Sequence, residues 1–281
     1  GRMVTGSIKD LLEVKGWEYG DLPHLRAATS EFALTATLGF DDEVLIWKLG
    51  LGTRRRPGIS NEAVLKVPPP AAGADARSRS VRELLRRKGR HMERTDVNGT
   101  SETVTQTLTS SWLNTIGEED RVRFPELHRI ATWARGIRGY FFLDPLRLRR
   151  PSHGEGHEIG VNGETLAPFL ARLRDRDRAA FNRIEDRVRK HYPKLVELHP
   201  MRRGQGWTDL EVTERWNGET ARCSGRQVSD GLLRLVAVAA MHELPTVPSV
   251  LLLDEVENGL HPHLLGGFVK IVGMLPPGPE G

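Results

Sequence analysis

Val250-Leu251-Leu252-Leu253-Asp254-Glu255 is an apolar run closed by two carboxylates. A run that is apolar at every position suits a parallel strand buried on both faces. Ligands of open α/β sheets gather at the carboxyl ends of such strands. The stretch therefore predicts a buried strand that delivers Asp254 and Glu255 to a ligand-facing edge. Mg2+ keeps several waters and takes few carboxylates, which suits Asp254 as the metal carboxylate. Glu255 is then placed to polarise a water as a general base. A strand ending in an acidic turn is common, so the neighbouring residues decide how far this reading goes.

Directly after the carboxylates comes Val256-Glu257-Asn258-Gly259-Leu260-His261-Pro262. Upstream lies Val228-Ser229-Asp230-Gly231-Leu232-Leu233-Arg234-Leu235, followed by Val236, Ala239 and Ala240 at spacings that bury one side of a helix. Ser229 can cap that helix. Gly231 lets backbone N–H groups come close to an anion at the positive helix end. An ordinary Ser-capped amphipathic helix has the same local pattern. Position separates the two readings, because this helix stands one element ahead of the Val250–Leu253 strand.

Four apolar residues followed by Asp-Glu make the Walker B form. Together with the residues up to Pro262, the segment resembles the Walker B and D-loop of ABC-type predicted ATPases of the AAA family, related to RecF, SMC heads and OLD-family proteins. Val256 stands where that family usually has Pro. Val228 to Leu235 resembles the family's signature, Leu-Ser-x-Gly-x-x-Arg-Leu, with Val228 in place of Leu. Weaker likenesses at Asp96–Gly99, Leu143–Pro145 and Val161–Ala167 extend the resemblance over most of the chain as framework.

The resemblance implies an α/β fold: an incomplete ABC-ATPase-like head of the P-loop NTPase class, with an antiparallel β subdomain and a helical lobe. It implies ATP as substrate and Mg2+ as cofactor, handled by two heads in a homodimer. Ser229 and Gly231 would then meet the partner head's nucleotide in trans. Asp254 would hold the metal and Glu255 would be the catalytic base in cis, with Glu257, Asn258, Gly259 and His261 forming the D-loop. The output implied is nucleic-acid maintenance or antiviral defence, acting on nucleic acid or through a fused or partner nuclease. Two rivals share parts of the pattern: a transport ATPase subunit, and a non-catalytic interaction module that keeps the head fold.

The Walker A pattern Gly-x-x-x-x-Gly-Lys-Ser/Thr does not occur, and the sequence has no Gly-Lys pair. A switch histidine on a later strand is also missing, and Gln106, Gln205 and Gln227 stand in the wrong contexts for a Q-loop. Truncation at both ends explains the first two absences with one assumption. The chain by itself is therefore expected not to hydrolyse ATP.

The rest of the 281 residues sets the frame. At 38% hydrophobic and 28% charged the balance is that of a soluble globular protein. A formal charge of +4, from 41 basic and 37 acidic residues, permits nucleic-acid contact without requiring it. The one cysteine, Cys223, allows neither an internal disulfide nor a cysteine zinc site and suits a reducing, cytoplasmic setting. No apolar run approaches the roughly 18 residues of a membrane span.

Ile8 to Lys15 reads as a short helix. The alternating runs Phe32–Leu38 and Val44–Leu51, separated by Gly39-Phe40-Asp41-Asp42, predict an antiparallel hairpin, with Val64–Val67 as a further strand. Pro68 to Ser80 reads as an exposed loop, Leu127 to Ile137 as a helix, and Tyr140 to Leu143 as a buried strand. Glu164 to His191 reads as one helical stretch with a charged, solvated face, and Asn217-Gly218 as a hairpin turn. On this basis one incomplete domain comprises an N-terminal lobe (1–67), a connecting region (68–163), a helical lobe and hairpin (164–223), and the motif-bearing end (224–281). Arg54–Arg56, Arg86–Lys88 and Arg147–Arg150 lie beside turns and are the candidates for phosphate contacts.

Overall fold

The computed structural model describes residues 12, 18, 31–40, 43–52, 58–67, 80–106, 108–140, 145–253 and 260–275. The chain divides into two compact units, Gly1–Arg135 and Gly136–Gly281. Each has its own apolar core. The helix expected at Ile8–Lys15 and the residues from Asp254 to Gly259 lie outside the described residues, Leu12 excepted.

The first unit is built on an antiparallel meander of β1 (Glu31–Gly39), β2 (Val44–Gly52), β3 (Gly58–Val67), β4 (Arg82–Lys88), β5 (His91–Thr95) and β6 (Ser101–Thr105), in that spatial order. The predicted hairpin is β1 and β2, with Gly39 opposite Val44. Alternation along β2 buries Leu45, Trp47, Leu49 and Leu51. The sheet runs on past Val67, because 68–163, expected as a connecting region, contributes β4, β5 and β6 to it. Between β5 and β6, Asp96 accepts the N–H groups of Asn98 (3.0 Å) and Thr100 (2.8 Å), and Gly99 adopts φ +85. Helix α1 (Pro125–Arg135) lays Leu127, Ile130, Ala131 and Ala134 against the core, the spacing of one helix face.

The second unit begins with β7 (Ile137–Tyr140), α2 (Pro145–Arg149) and β8 (Ser152–His153). The single helical stretch expected over Glu164–His191 is instead two helices, α3 (Leu166–Arg176) and α4 (Arg178–His191). Asp177, at φ −143 and ψ 77, ends the first, and its carboxylate caps the second by accepting the N–H of Ala180 at 2.9 Å. A short polar side chain that satisfies the new helix end outweighs continuity of the periodicity. Next come β9 (Leu195–Arg202), β10 (Trp207–Trp216) and β11 (Glu219–Ser224), with β10 paired antiparallel to all of β8, β9 and β11. Asn217 (φ +50) and Gly218 (φ +89) both take positive φ in the β10–β11 turn, the conformation that matches strand twist in a two-residue hairpin.

The chain then enters α5 (Asp230–Met241), β12 (Val250–Leu253) and α6 (Pro262–Gly273). Every residue of α5 from Gly231 to Met241 is buried, so this helix is the centre of the second core. Of the strand predicted at Tyr140–Leu143, residues 141–143 lie outside the described residues; Tyr140 belongs to β7, which pairs parallel to β12 with Ile137 opposite Val250 and Tyr140 opposite Leu253. One expectation is corrected here: β12 is not buried on both faces. Leu251 and Leu253 pack on the core, whereas Leu252 on the opposite face is 57% exposed; among the described residues the strand has one paired neighbour. At the start of this pair Gly136 permits close approach: Ser249 donates its N–H to the Gly136 carbonyl at 3.1 Å, and a Cβ on Gly136 would fall 2.6 Å from the Ser249 hydroxyl.

Candidate functional site

The N-terminus of α5 carries Ser229 and Gly231, the residues expected from the sequence to form a signature motif. Ser229 is its cap, at φ −64 and ψ 146. The Ser229 hydroxyl accepts the N–H of Leu232 at 3.2 Å, and its carbonyl accepts that of Leu233 at 3.2 Å. The first bond satisfies one of the four orphan donors that a helix start presents, and the second is the first regular bond of the helix. Among the described residues, the N–H groups of Asp230 and Gly231 are left as donors at the helix tip. A hydroxyl that accepts one bond can still donate its own proton. The tip can thus offer two backbone N–H groups and one O–H to an anion, reinforced by the helix dipole. Ser229 is exposed, and Gly231 and the preceding Val228 are buried, so the tip is open while its flanks are anchored.

The turn before the cap is braced by a residue that sequence reading set aside. Gln227 accepts the N–H of Ser224 (3.0 Å) and its hydroxyl (3.1 Å) through one side-chain oxygen, while its own N–H donates to the Ser224 carbonyl at 2.8 Å. Arg149, the last residue of α2, then reaches across. Its Nε donates to Asp230 Oδ1 at 3.0 Å, its Nη2 bonds the same oxygen, and its Nη1 donates to the Arg226 carbonyl at 2.7 Å. Gly225 makes room for this docking, since a Cβ there would meet the Leu210 carbonyl at 2.9 Å and that of Arg149 at 3.3 Å. Arg149 is therefore committed to a protein contact rather than extended towards solvent. The role of Arg149 has no local signal in the sequence, because its partners Arg226 and Asp230 lie 77 and 81 residues away.

Arg234, one turn further along α5, is 3% exposed. Burial holds its guanidinium below the usual arginine range, with Asp230 opposing the shift.

Asp254 and Glu255, read from the sequence as Walker B carboxylates, and Glu257, Asn258 and Gly259 fall outside the described residues. The strand that leads to them is described, and it runs parallel to β7 up to Leu253. His261 reappears as the cap of α6, with Pro262 in the first helical position and the N–H of Leu264 bonded to the His261 carbonyl at 2.8 Å. Its ring nitrogen Nδ1 lies 2.6 Å from that of His263, so one ring donates and the other accepts. Among the described residues no group of three His, Cys, Asp or Glu side chains could hold a metal ion.

A cavity of about 250 Å3 lined by Arg187, Lys190, His191, His242, Ile271 and Met274 lies at the other end of α5. Its basic side chains invite comparison with a phosphate site. However, α4 ends at His191, α5 at Met241 and α6 at Gly273, so three helix C-termini converge on it. Cations there offset the partial negative charge of those termini. Arg187 is also bound to Glu243, which Arg183 shares. Of the other arginine clusters, Arg86 pairs with Glu83, and Arg87 is buried and donates to the carbonyls of Ser110 (2.8 Å) and Leu108 (2.7 Å). Arg54–Arg56 lie outside the described residues.

A mixed α/β chain with an anion-ready helix tip ahead of a parallel strand is the kind of molecule found among AAA and P-loop ATPase-like proteins. The family model described as "AAA domain, putative AbiEii toxin, Type IV TA system" matches residues 72–279. The chain belongs to that family. No curated protein matches it. Among the described residues no helix is long and apolar enough to cross a membrane.

Proposed function

We propose that this chain is the signature-bearing and Walker B-bearing part of a dimerising ATPase head of the RecF, SMC and OLD kind. The observation that carries the reading is the α5 tip: Ser229 caps it and Gly231 lies in its first turn. One element later comes the parallel strand that leads into Asp254-Glu255. Ser229 and the N–H groups of Asp230 and Gly231 bind the terminal phosphate of ATP held by a partner head. Asp254 holds Mg2+ in cis, and Glu255 takes the proton from the attacking water.

The groups suit these ligands, since backbone and hydroxyl donors match phosphate oxygens and hard carboxylate oxygens match Mg2+. When bound, Mg2+ supplies charge neutralisation on the phosphate oxygens. The main anchor of the nucleotide is a phosphate-binding loop that residues 1–281 do not contain. The output, by family analogy, is nucleic-acid maintenance or defence through a nuclease partner or fused domain.

The test uses the natural protein that carries this sequence. Glu255→Gln is expected to cut ATP turnover by about 100-fold or more, the usual worth of a general base. Ser229→Arg, which fills the phosphate position, is expected to abolish ATP-dependent association of heads. The isolated 281-residue chain is expected to show no turnover. Dimerisation indifferent to ATP and to both substitutions would overturn the reading in favour of a non-catalytic interaction module.

A further inference from the structure

Asp230 poses an electrostatic problem. It is the first residue of α5, next to the two N–H groups that face the proposed phosphate, and it carries a negative charge where a second negative charge must bind. A carboxylate in the first turn also competes with a phosphate for the positive end of the helix dipole. Arg149 answers it with two of its nitrogens on Asp230 Oδ1, while the third holds the Arg226 carbonyl. The side chains of the pair are 20% and 32% exposed, and ion pairs that open to solvent add little stability. Stability alone is therefore a weak reason for so complete a grip.

We infer that Arg149 is a positioning residue for ATP hydrolysis: it neutralises Asp230 and holds the 225–229 turn so that the α5 tip accepts a phosphate from the partner head. The inference rests on the signature reading above. Arg149 touches no reacting atom, and it acts through Asp230 and the turn. Because the nucleotide is anchored on the other head, its loss should lower kcat and leave KM for ATP nearly unchanged. A unit charge left uncompensated a few ångströms from a phosphate, at an effective dielectric of about 20, is worth on the order of tenfold to a hundredfold in rate.

The experiment measures steady-state ATP turnover and ATP-dependent head association in the natural protein. Arg149→Ala should lower kcat by about tenfold to a hundredfold. Adding Asp230→Asn to Arg149→Ala should restore most of that loss, since the charge that needed neutralising is gone. A purely structural brace would not be rescued by removing a second partner. If Arg149→Ala fails to fold by circular dichroism, Arg149→Lys and Arg149→Gln replace it, with the charged lysine variant expected to outperform the neutral one. A kcat within twofold of wild type for Arg149→Ala, no rescue by Asp230→Asn, or equal loss in the lysine and glutamine variants would overturn the inference. Should Ser229→Arg leave turnover untouched, the signature reading itself fails. Sensitivity to Ser229→Arg with indifference to Arg149 variants sinks the positioning role alone.

Discussion

The sheet of the first unit and the central helix of the second place charge differently. In the first, charge is buried inside the scaffold. Glu62 on β3 is 1% exposed and accepts three hydrogen bonds, from Trp47 Nε1 (2.9 Å), the Ser111 hydroxyl (2.5 Å) and the Trp112 N–H (2.8 Å). Burial pushes its carboxyl above the ordinary range, and those three bonds together with Arg87 pull the other way. Arg87 on β4 ties the same region to the carbonyls of Leu108 and Ser110. In the second unit the central helix α5 is apolar apart from Arg234, and its other charges gather at its ends: Arg149 with Asp230 at one, and Arg183 and Arg187 with Glu243 at the other. Interior charge held by several hydrogen bonds fixes a scaffold. Charge paired at an exposed helix tip leaves the backbone donors there open to a ligand. Substitutions of the first kind should register as lost stability, and those of the second kind as lost activity.

Glu62→Ala tests the first half most severely. It strands three buried donors and the Arg87 guanidinium, so a loss of about 3–5 kcal/mol is expected from urea denaturation. A loss below about 1 kcal/mol would mean that the network is not structural. Ser229→Ala comes next and sharpens the second half. Losing the cap should cost about 1 kcal/mol in the same assay, with a disproportionate fall in turnover because the phosphate-facing hydroxyl goes with it. If turnover fell only as far as stability did, Ser229 would be a cap and nothing more.

The smallest effect is expected from pH at the far end of α5. Burial holds the His242 imidazole below its ordinary range, while its bond to the Ile271 carbonyl (2.9 Å) opposes the shift. A base depressed in the folded state resists protonation there. Its contribution to stability is therefore complete above the unfolded value near 6.5 and declines as pH falls below it. Melting temperature should drop between pH 7.5 and pH 5, and His242→Gln should flatten that slope. An unchanged slope would assign the pH dependence to other groups.

Much of this was legible from local pattern. Alternation marked β1 and β2, the Asn217-Gly218 pair marked the β10–β11 turn, and a serine before an apolar helical run marked the start of α5. Such signals survive because they depend on neighbours a few residues apart. The continuous periodicity over Glu164–His191 misled for the same reason: nothing in its spacing shows that the Asp177 carboxylate serves a new helix start rather than solvent. The apolar run of β12 likewise overstated burial, since apolarity does not reveal how many strands flank it.

The sequence by itself determined the order of the candidate motifs, because the roles proposed for Ser229, Gly231, Asp254 and Glu255 rest on residue type and spacing. It also carried enough to place residues 72–279 in their family. Only the tertiary structure decided which charges are committed. Arg149 and Asp230 are 81 residues apart, and Glu62 and Ser111 are 49 apart. Pairings over such distances follow from how helices and strands pack, and no local window contains both partners. That is why a cluster such as Arg147–Arg150 reads as a phosphate-contacting surface from the sequence, whereas in the fold its Arg149 is bound to Asp230 and the Arg226 carbonyl at the start of α5.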